Sequence, residues 1–305
     1  MDSLVFFGSG PVAAKSLVLL AKDFDIEAVI TKPKPQHHRG EFPVVQLAEQ
    51  LGLKTLTPAN KQELSQLFSS KPVTSHLGVV IDYGIIISKD VIDYFPLGIV
   101  NSHFSLLPRW RGADPITFAV LSGDTKSGVS LMLIDEGMDT GKLITQKTHH
   151  LSTDTTSPDL TDELIDLSHS LLVEYLPRYI QGDIHPHAQP HPDRATYSRK
   201  LTKKDGIIDW AKSAEIIERE IRAFLGWPGS RTTLAGKDVI ITKAHVANRL
   251  SETREESSNP GTIIIEQKEI MIVTGKDLLA IEKLKPAGKS EMTSEGFLAG
   301  YGKNL

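Results

Sequence analysis

Eleven consecutive residues, Gly182-Asp183-Ile184-His185-Pro186-His187-Ala188-Gln189-Pro190-His191-Pro192, carry three prolines and interrupt the patterns on both sides of them. A segment so short of amide donors fits neither a helix interior nor a central strand. It divides the chain into an upstream part over 1–181, a linker over 182–205 and a downstream part over 206–305. A total of 305 residues suits two domains at roughly 150 residues each, with enough chain to bury a core.

Upstream, short apolar runs alternate with helical patterns, as an open α/β sheet requires. Strands are predicted at Leu4–Phe7, Glu27–Thr31, Leu77–Ile81, Leu97–Val100, Val129–Ile134 and Leu143–Gln146. Pro11 marks a helix start, with Ala13, Ala14, Leu17, Leu20 and Ala21 as its buried stripe, and a long helix is predicted over about 158–180. The expected architecture is a doubly wound, mostly parallel sheet. Downstream, a helix at about 213–224 precedes five strand-like runs at Ser230–Leu234, Asp238–His245, Gly261–Ile265, Ile270–Thr274 and Leu278–Lys283. Five short strands in so small a region predict an OB-like β-barrel. The polar run Ser251–Ser258 reads as an exposed loop.

Composition removes several classes. With 40% hydrophobic and 24% charged residues and no apolar run near the roughly 18 needed to span a bilayer, a membrane-spanning or disordered chain is excluded. The start, Met1-Asp2-Ser3-Leu4-Val5, lacks the basic opening of a signal peptide, and the expectation is a cytoplasmic protein. Zero cysteines exclude disulfides, thiolate metal sites and thiol nucleophiles. The net charge of −4 conceals an asymmetry: from Lys200 onward 17 Lys and Arg face 15 Asp and Glu, against 17 and 23 upstream. An acidic partner is therefore sought at the tail.

Gly8-Ser9-Gly10-Pro11-Val12-Ala13 follows a strand, opens a helix and fits the G-x-G-x-x-A dinucleotide fingerprint, so a nicotinamide-dependent oxidoreductase is one hypothesis. The acidic ribose partner is missing, since the second strand ends at Ile30-Thr31-Lys32; the alternative is a tight strand-to-helix turn that needs glycines for room. Histidines at 37, 38, 149, 150, 185, 187 and 191 invite a metal reading, but they lack carboxylates at ligand spacing and no metal is expected. The densest chemistry runs from Val100 to Pro115. In an extended chain Asn101 and His103 share one face, because side chains alternate with a period of two. Asp135-Glu136-Gly137-Met138-Asp139-Thr140-Gly141 is an acidic loop that can return a carboxylate to the same rim.

Taken whole, Asn101-x-His103-x-Ser105-Leu106-Leu107-Pro108-x-x-Arg111-Gly112, followed by Gly137-x-Asp139-x-Gly141, resembles the signature of the folate-dependent formyltransferases. The likeness continues through Phe7-Gly8, Asp82-Tyr83-Gly84, Thr196-Tyr197, Lys200-Leu201, Ile208-Asp209-Trp210, Ile221-Arg222-Ala223-Phe224, Trp227-Pro228 and Lys285-Pro286-Ala287-Gly288-Lys289, so it covers nearly the whole chain. Within that family, Ser105 to Gly112 is similar to the branch that acts on charged initiator tRNA.

The resemblance implies an enzyme that moves a formyl group from 10-formyltetrahydrofolate, as co-substrate, to the amino group of methionine on initiator tRNA, with no metal and as a monomer. Asn101 and His103 would donate hydrogen bonds to the oxyanion that forms when the amine attacks. Asp139 would pair with His103, favour its protonated form and take the proton lost by the amine. Ser105, Leu106, Leu107 and Pro108 resemble the folate-contacting turn, and Asp82, Tyr83 and Gly84 lie where the family lines the pterin pocket. Arg39 matches the arginine of a basic loop that enters the tRNA acceptor end, although Glu41-Phe42-Pro43 replaces a longer basic continuation. Lys200, Lys203, Lys204, Lys285 and Lys289 are expected to contact tRNA phosphates in a C-terminal tRNA-binding domain. Other classes remain open: an amino-sugar nucleotide formyltransferase using the same donor, a glycinamide ribonucleotide formyltransferase, which matches only the first domain, and a non-catalytic RNA-binding module.

Overall fold

The computed structural model describes residues 3–34, 42–247 and 259–304. Arg39, with His37, His38 and the run Ser251–Ser258, lies outside the described residues.

The chain groups into two compact units. One comprises Met1–Pro115, Lys126–His150 and Thr161–Arg199; the other comprises Ile116–Thr125, Leu151–Leu160 and Lys200–Leu305. Elements in chain order are β1 (Ser3–Phe7), α1 (Pro11–Asp23), β2 (Asp25–Ile30), α2 (Pro43–Gln50), β3 (Thr55–Leu56), α3 (Lys61–Ser69), β4 (Gly78–Val80), α4 (Lys89–Asp93), β5 (Ile99–His103), β6 (Arg111–Gly112) and α5 (Pro115–Leu121). They continue with β7 (Lys126–Leu133), β8 (Leu143–His150), α6 (Ser157–Ile180), β9 (Tyr197–Ser198), α7 (Ala214–Ala223), β10 (Ser230–Leu234), β11 (Lys237–Ala247), β12 (Ile263–Glu266), β13 (Glu269–Val273), β14 (Leu278–Pro286), β15 (Met292–Thr293) and α8 (Ser294–Tyr301).

The first unit holds a seven-stranded sheet in the order β3-β2-β1-β4-β5-β7-β8. The five strands from β3 to β5 run parallel, and β7 and β8 add antiparallel pairs at one edge. Connections leave β1 toward β2 and β3 on one side, while β4 and β5 lie on the other, so the order reverses between β1 and β4. Ligands of open α/β sheets bind outside the carboxyl ends of strands at such a point. The central strands β1 and β4 are almost entirely buried, as strands inside a largely parallel sheet are. Phe7, Phe68, Tyr83 and Phe95 form an aromatic cluster under one face, with Phe7 5.6 Å from Tyr83 and 6.0 Å from Phe68 and Phe95.

The predicted strands and the helices at 11 and at 158–180 are present. Helices α2 to α5 and α8 are additional. For α3 the start is chemically explicit: Asn60 Oδ1 accepts from the amides of Gln62 and Glu63. The segment 182–205 is not structureless, since it contains short 3₁₀ turns at Pro192–Arg194 and Lys203–Gly206 and the strand β9, which pairs in parallel with β6.

The second unit holds an antiparallel sheet in the order β10-β11-β14-β13-β12, with β15 on β14. Among the described residues no ladder joins β10 to β12. Alternation sorts its side chains: Ile270, Ile272, Leu279 and Ile281 pack with Ile217 and Ile221 of α7 and Phe297 of α8, whereas Met271, Val273, Leu278 and Ala280 form a second cluster. Ile216 of α7 is exposed.

Candidate active site

Strand β5 ends at His103, so Asn101 and His103 emerge together, while Ser102 faces the opposite way and meets Ser168 Oγ at 2.6 Å. The third member arrives from the loop between β7 and β8. Asp135 Oδ1 accepts from Gly137 N (3.0 Å) and Thr140 Oγ1 (2.7 Å), which folds that loop back on itself. Gly141 closes it where a Cβ would lie 1.7 Å from Leu133 O, a close backbone approach only glycine allows. Asp139 thereby adopts a left-handed backbone with φ 52°. Its Oδ2 accepts from Gly112 N at 2.7 Å and lies 3.7 Å from His103 Nδ1, and its Oδ1 lies 3.4 Å from Asn101 Nδ2. The structure thus brings Asn101, His103 and Asp139 together. His103 is 6% exposed, and its Nε2 donates to Trp110 O at 2.9 Å. That bond fixes the ring and leaves Nδ1 as the nitrogen facing the shared space.

The turn after β5 is staked from below. Ser130 Oγ donates to Ser105 O (2.6 Å) and accepts from Leu107 N (3.1 Å) and Gln146 Nε2 (2.8 Å), and Gln146 Nε2 also donates to Leu107 O (2.9 Å). Ser105 Oγ closes the turn onto Arg109 O at 2.6 Å. Leu106 and Pro108 are half-buried at its surface, whereas Leu107 is buried with Met132 and Leu143. Neighbouring bonds come from the segment read as linker: Thr196 Oγ1 accepts from Trp110 N (2.9 Å), and Ser198 Oγ accepts from Asp114 N (3.1 Å). A Cβ on Gly112 would lie 2.3 Å from Ser198 O.

At the switch point, Ser9 N (2.9 Å) and Gly10 N (3.4 Å) both donate to Asp82 O. A Cβ on Gly10 would meet Asp82 Oδ2 at 1.8 Å. The glycine loop is therefore engaged with the protein's own Asp82, as expected of a tight strand-to-helix turn rather than a phosphate cradle. Partial loss of water around the Asp82 carboxyl raises its pKa to about 6; Lys32 opposes the shift and Asp114 adds to it. Gly84, with φ 70°, lies against the Lys32 ammonium. Tyr83 belongs to the aromatic cluster, where burial pushes its phenol pKa up.

Lys200, Lys203, Lys204, Lys285 and Lys289 are all exposed in the second unit. Cross-strand pairing puts Lys285 and Arg231 either side of Ile240 on one face of the sheet. Among the described residues no group of three or more His, Asp or Glu side chains is placed to hold a metal ion. A cavity of about 510 Å³ in the second unit, lined among others by Arg222, Lys243, His245 and Glu282, includes none of the residues around Asp139. Sequence reasoning missed Ser130, Gln146, Gln189, Thr196 and Ser198. Ser130 had a signal, as a polar residue within the apolar run Val129–Ile134.

The fold is of the doubly wound α/β class, with a switch point between β1 and β4, and an amide, an imidazole and a carboxylate meet beside the end of β5. The family profile described as "Formyl transferase" matches residues 4–176, and that described as "Formyl transferase, C-terminal domain" matches 200–302; the chain belongs to the formyl transferase family. Methionyl-tRNA formyltransferase of Roseiflexus castenholzii is 37% identical over 97% of this chain and 95% of its own length. That of Myxococcus xanthus is 36% identical over 98% and 95%. Among solved structures, the N-formyltransferase of Helicobacter canadensis, in complex with folinic acid and dTDP-3-aminofucose, superposes with a TM-score of 0.67 at 20% identity, covering 92% of this chain and 99% of that one. HypX of Aquifex aeolicus in complex with tetrahydrofolic acid gives 0.65 at 16% identity, covering 100% and 48%. At such identities the likeness shows the fold.

Proposed function

We propose that this chain transfers the formyl group of 10-formyltetrahydrofolate to the amino group of methionine on initiator tRNA, for translation initiation. The observation that carries the reading is the convergence of Asn101, His103 and Asp139 within 3.7 Å contacts, in a chain whose relatives over nearly its full length are methionyl-tRNA formyltransferases. The folate, when bound, supplies an electrophilic formyl carbon. Asn101 Nδ2, only weakly engaged at 3.4 Å, donates to the formyl oxygen as negative charge develops there. His103, in its doubly protonated form, would be the second donor through Nδ1 while its Nε2–H stays on Trp110 O. Asp139 takes the proton that the attacking amine loses, directly or through one water, and the oxyanion then collapses by breaking the bond from the formyl carbon to the folate nitrogen, which takes up a proton and leaves as tetrahydrofolate.

Ser105, Leu106 and Pro108 form the folate-facing turn with Asp82 and Gly84 across the crevice, and Leu107 and Tyr83 support them from the core. The second unit is read as an OB-like tRNA-binding domain in which Lys200, Lys203, Lys204, Lys285 and Lys289 meet phosphates, as does Arg39 at the acceptor end. A cytoplasmic monomer completes the reading, with domains at 1–181 and 206–305 about the connecting segment; no described helix is long and apolar enough to cross a membrane. Sugar N-formyltransferases share the fold, but at 20% identity or below their substrate does not transfer. Supplying labelled 10-formyltetrahydrofolate with either charged initiator tRNA or an amino-sugar nucleotide decides the acceptor. Label is expected on the tRNA; label on the sugar alone contradicts the proposal.

A further inference from the structure

We propose that Gln189 is a positioning residue for the transfer, clamping the loop that carries Asp139 onto Arg111. The inference rests on Asp139 acting as read above. Gln189 is 7% exposed and uses its whole carboxamide: Nε2 donates to Asp139 O (2.7 Å) and Gly141 O (3.0 Å), and Oε1 accepts from Arg111 Nη2 (2.7 Å). Only one orientation satisfies these partners, because a flipped amide would set oxygen against two carbonyls and nitrogen against a guanidinium. Arg111 is itself 6% exposed, and its Nε has no partner, so the bond to Gln189 is a principal anchor of a buried cation.

The clamp acts where the catalytic carboxylate is least secured. Asp139 holds a left-handed backbone, φ 52°, which a non-glycine residue keeps only when its surroundings impose it. Its carboxylate has one short bond, to Gly112 N at 2.7 Å, and that amide follows Arg111 in the chain. Contacts with Asn101 and His103 are long, at 3.4 and 3.7 Å, and cannot fix the loop. Gln189 therefore ties the backbone of Asp139 to the residue preceding the amide that holds its side chain. It sits between Leu143↔His187, bridged to β8, and β9, bridged to β6, so the connecting segment delivers it from a framed position.

Displacing a catalytic group by about an ångström costs on the order of 10²-fold in rate. The test measures single-turnover formyl transfer, folate affinity and melting temperature in the full chain carrying Gln189→Glu, Gln189→Met or Asp139→Asn. Gln189→Glu keeps an acceptor for Arg111 but turns a carboxylate toward the two carbonyls; Gln189→Met fills the volume without hydrogen bonds. Both are expected to lower the transfer rate by about 10- to 100-fold with folate affinity within about twofold. A wild-type rate in Gln189→Glu overturns the proposal, even if Gln189→Met loses stability, because Gln189 would then only anchor Arg111. Loss of folate affinity in step with rate overturns it too. Full activity in Asp139→Asn removes the catalytic reading instead, whereas an inactive Asp139→Asn beside active Gln189 variants removes the clamp alone.

Discussion

Asp82 shows how much a single carboxylate can report about the crevice. Loss of water around its carboxyl raises its pKa from 3.8 to about 6, with Lys32 opposing the shift and Asp114 adding to it. An acid whose pKa is higher in the folded state binds its proton more tightly there, so ionising it opposes folding. Its effect on stability is absent below 3.8 and sets in as pH rises to about 6. Asp82→Asn is accordingly expected to melt higher than wild type at about pH 7.5 and to lose that advantage at about pH 4. An advantage independent of pH would mean that the carboxyl is not the titrating group. At the same scale, Asn101 and His103 were legible because a strand period of two puts them on one face. The partner of His103 Nε2 was not, because Trp110 O reaches it through a turn with φ 57° that no periodicity encodes.

At the level of elements, the turn from Ser105 to Pro108 depends on a side chain of another strand. Ser130 is fully buried in β7 and bonds Ser105 O, Leu107 N and Gln146 Nε2. Ser130→Ala leaves Leu107 N and one Gln146 donor short of an acceptor, at a cost of about 1–3 kcal/mol. The expected signature is a lower melting temperature and weaker folate binding, with the transfer rate at saturating folate retained; a loss of saturated rate without loss of affinity would place Ser130 in the chemistry. Apolar strands such as β1 and β4 were legible as short hydrophobic runs, and α1 by the proline at its start. Two-residue strands were not. β6 and β9 exist because Thr196 and Ser198 satisfy the backbone around Arg111 from more than eighty residues away. For the same reason the proline-rich segment reads as a linker in sequence, yet Gln189 and Thr196 within it bond to the rim of the candidate site.

Across the whole molecule, the two units do not divide the chain at one point, since 116–125 and 151–160 group with the residues after Lys200. Arg222 in α7 shows this locally, donating to Thr155 O at 2.9 Å. Truncating the tail would strip those segments of their partners, so tRNA binding is better tested by charge. If Lys203, Lys204, Lys285 and Lys289 contact phosphates, each neutralisation should lower the slope of log affinity against log salt by about 0.7 to 0.9. An unchanged slope would mean that these lysines only solvate the surface. In the proposed reaction the central event is the attack of an amine on a formyl carbon whose oxygen Asn101 would stabilise. The most direct test is the single-turnover rate of formyl transfer to charged initiator tRNA by wild type and by Asn101→Ala at saturating folate. Rapid transfer by wild type and a loss of about 10²-fold or more in folded Asn101→Ala, with folate affinity largely kept, is the predicted result. A near-wild-type rate in the variant would contradict it.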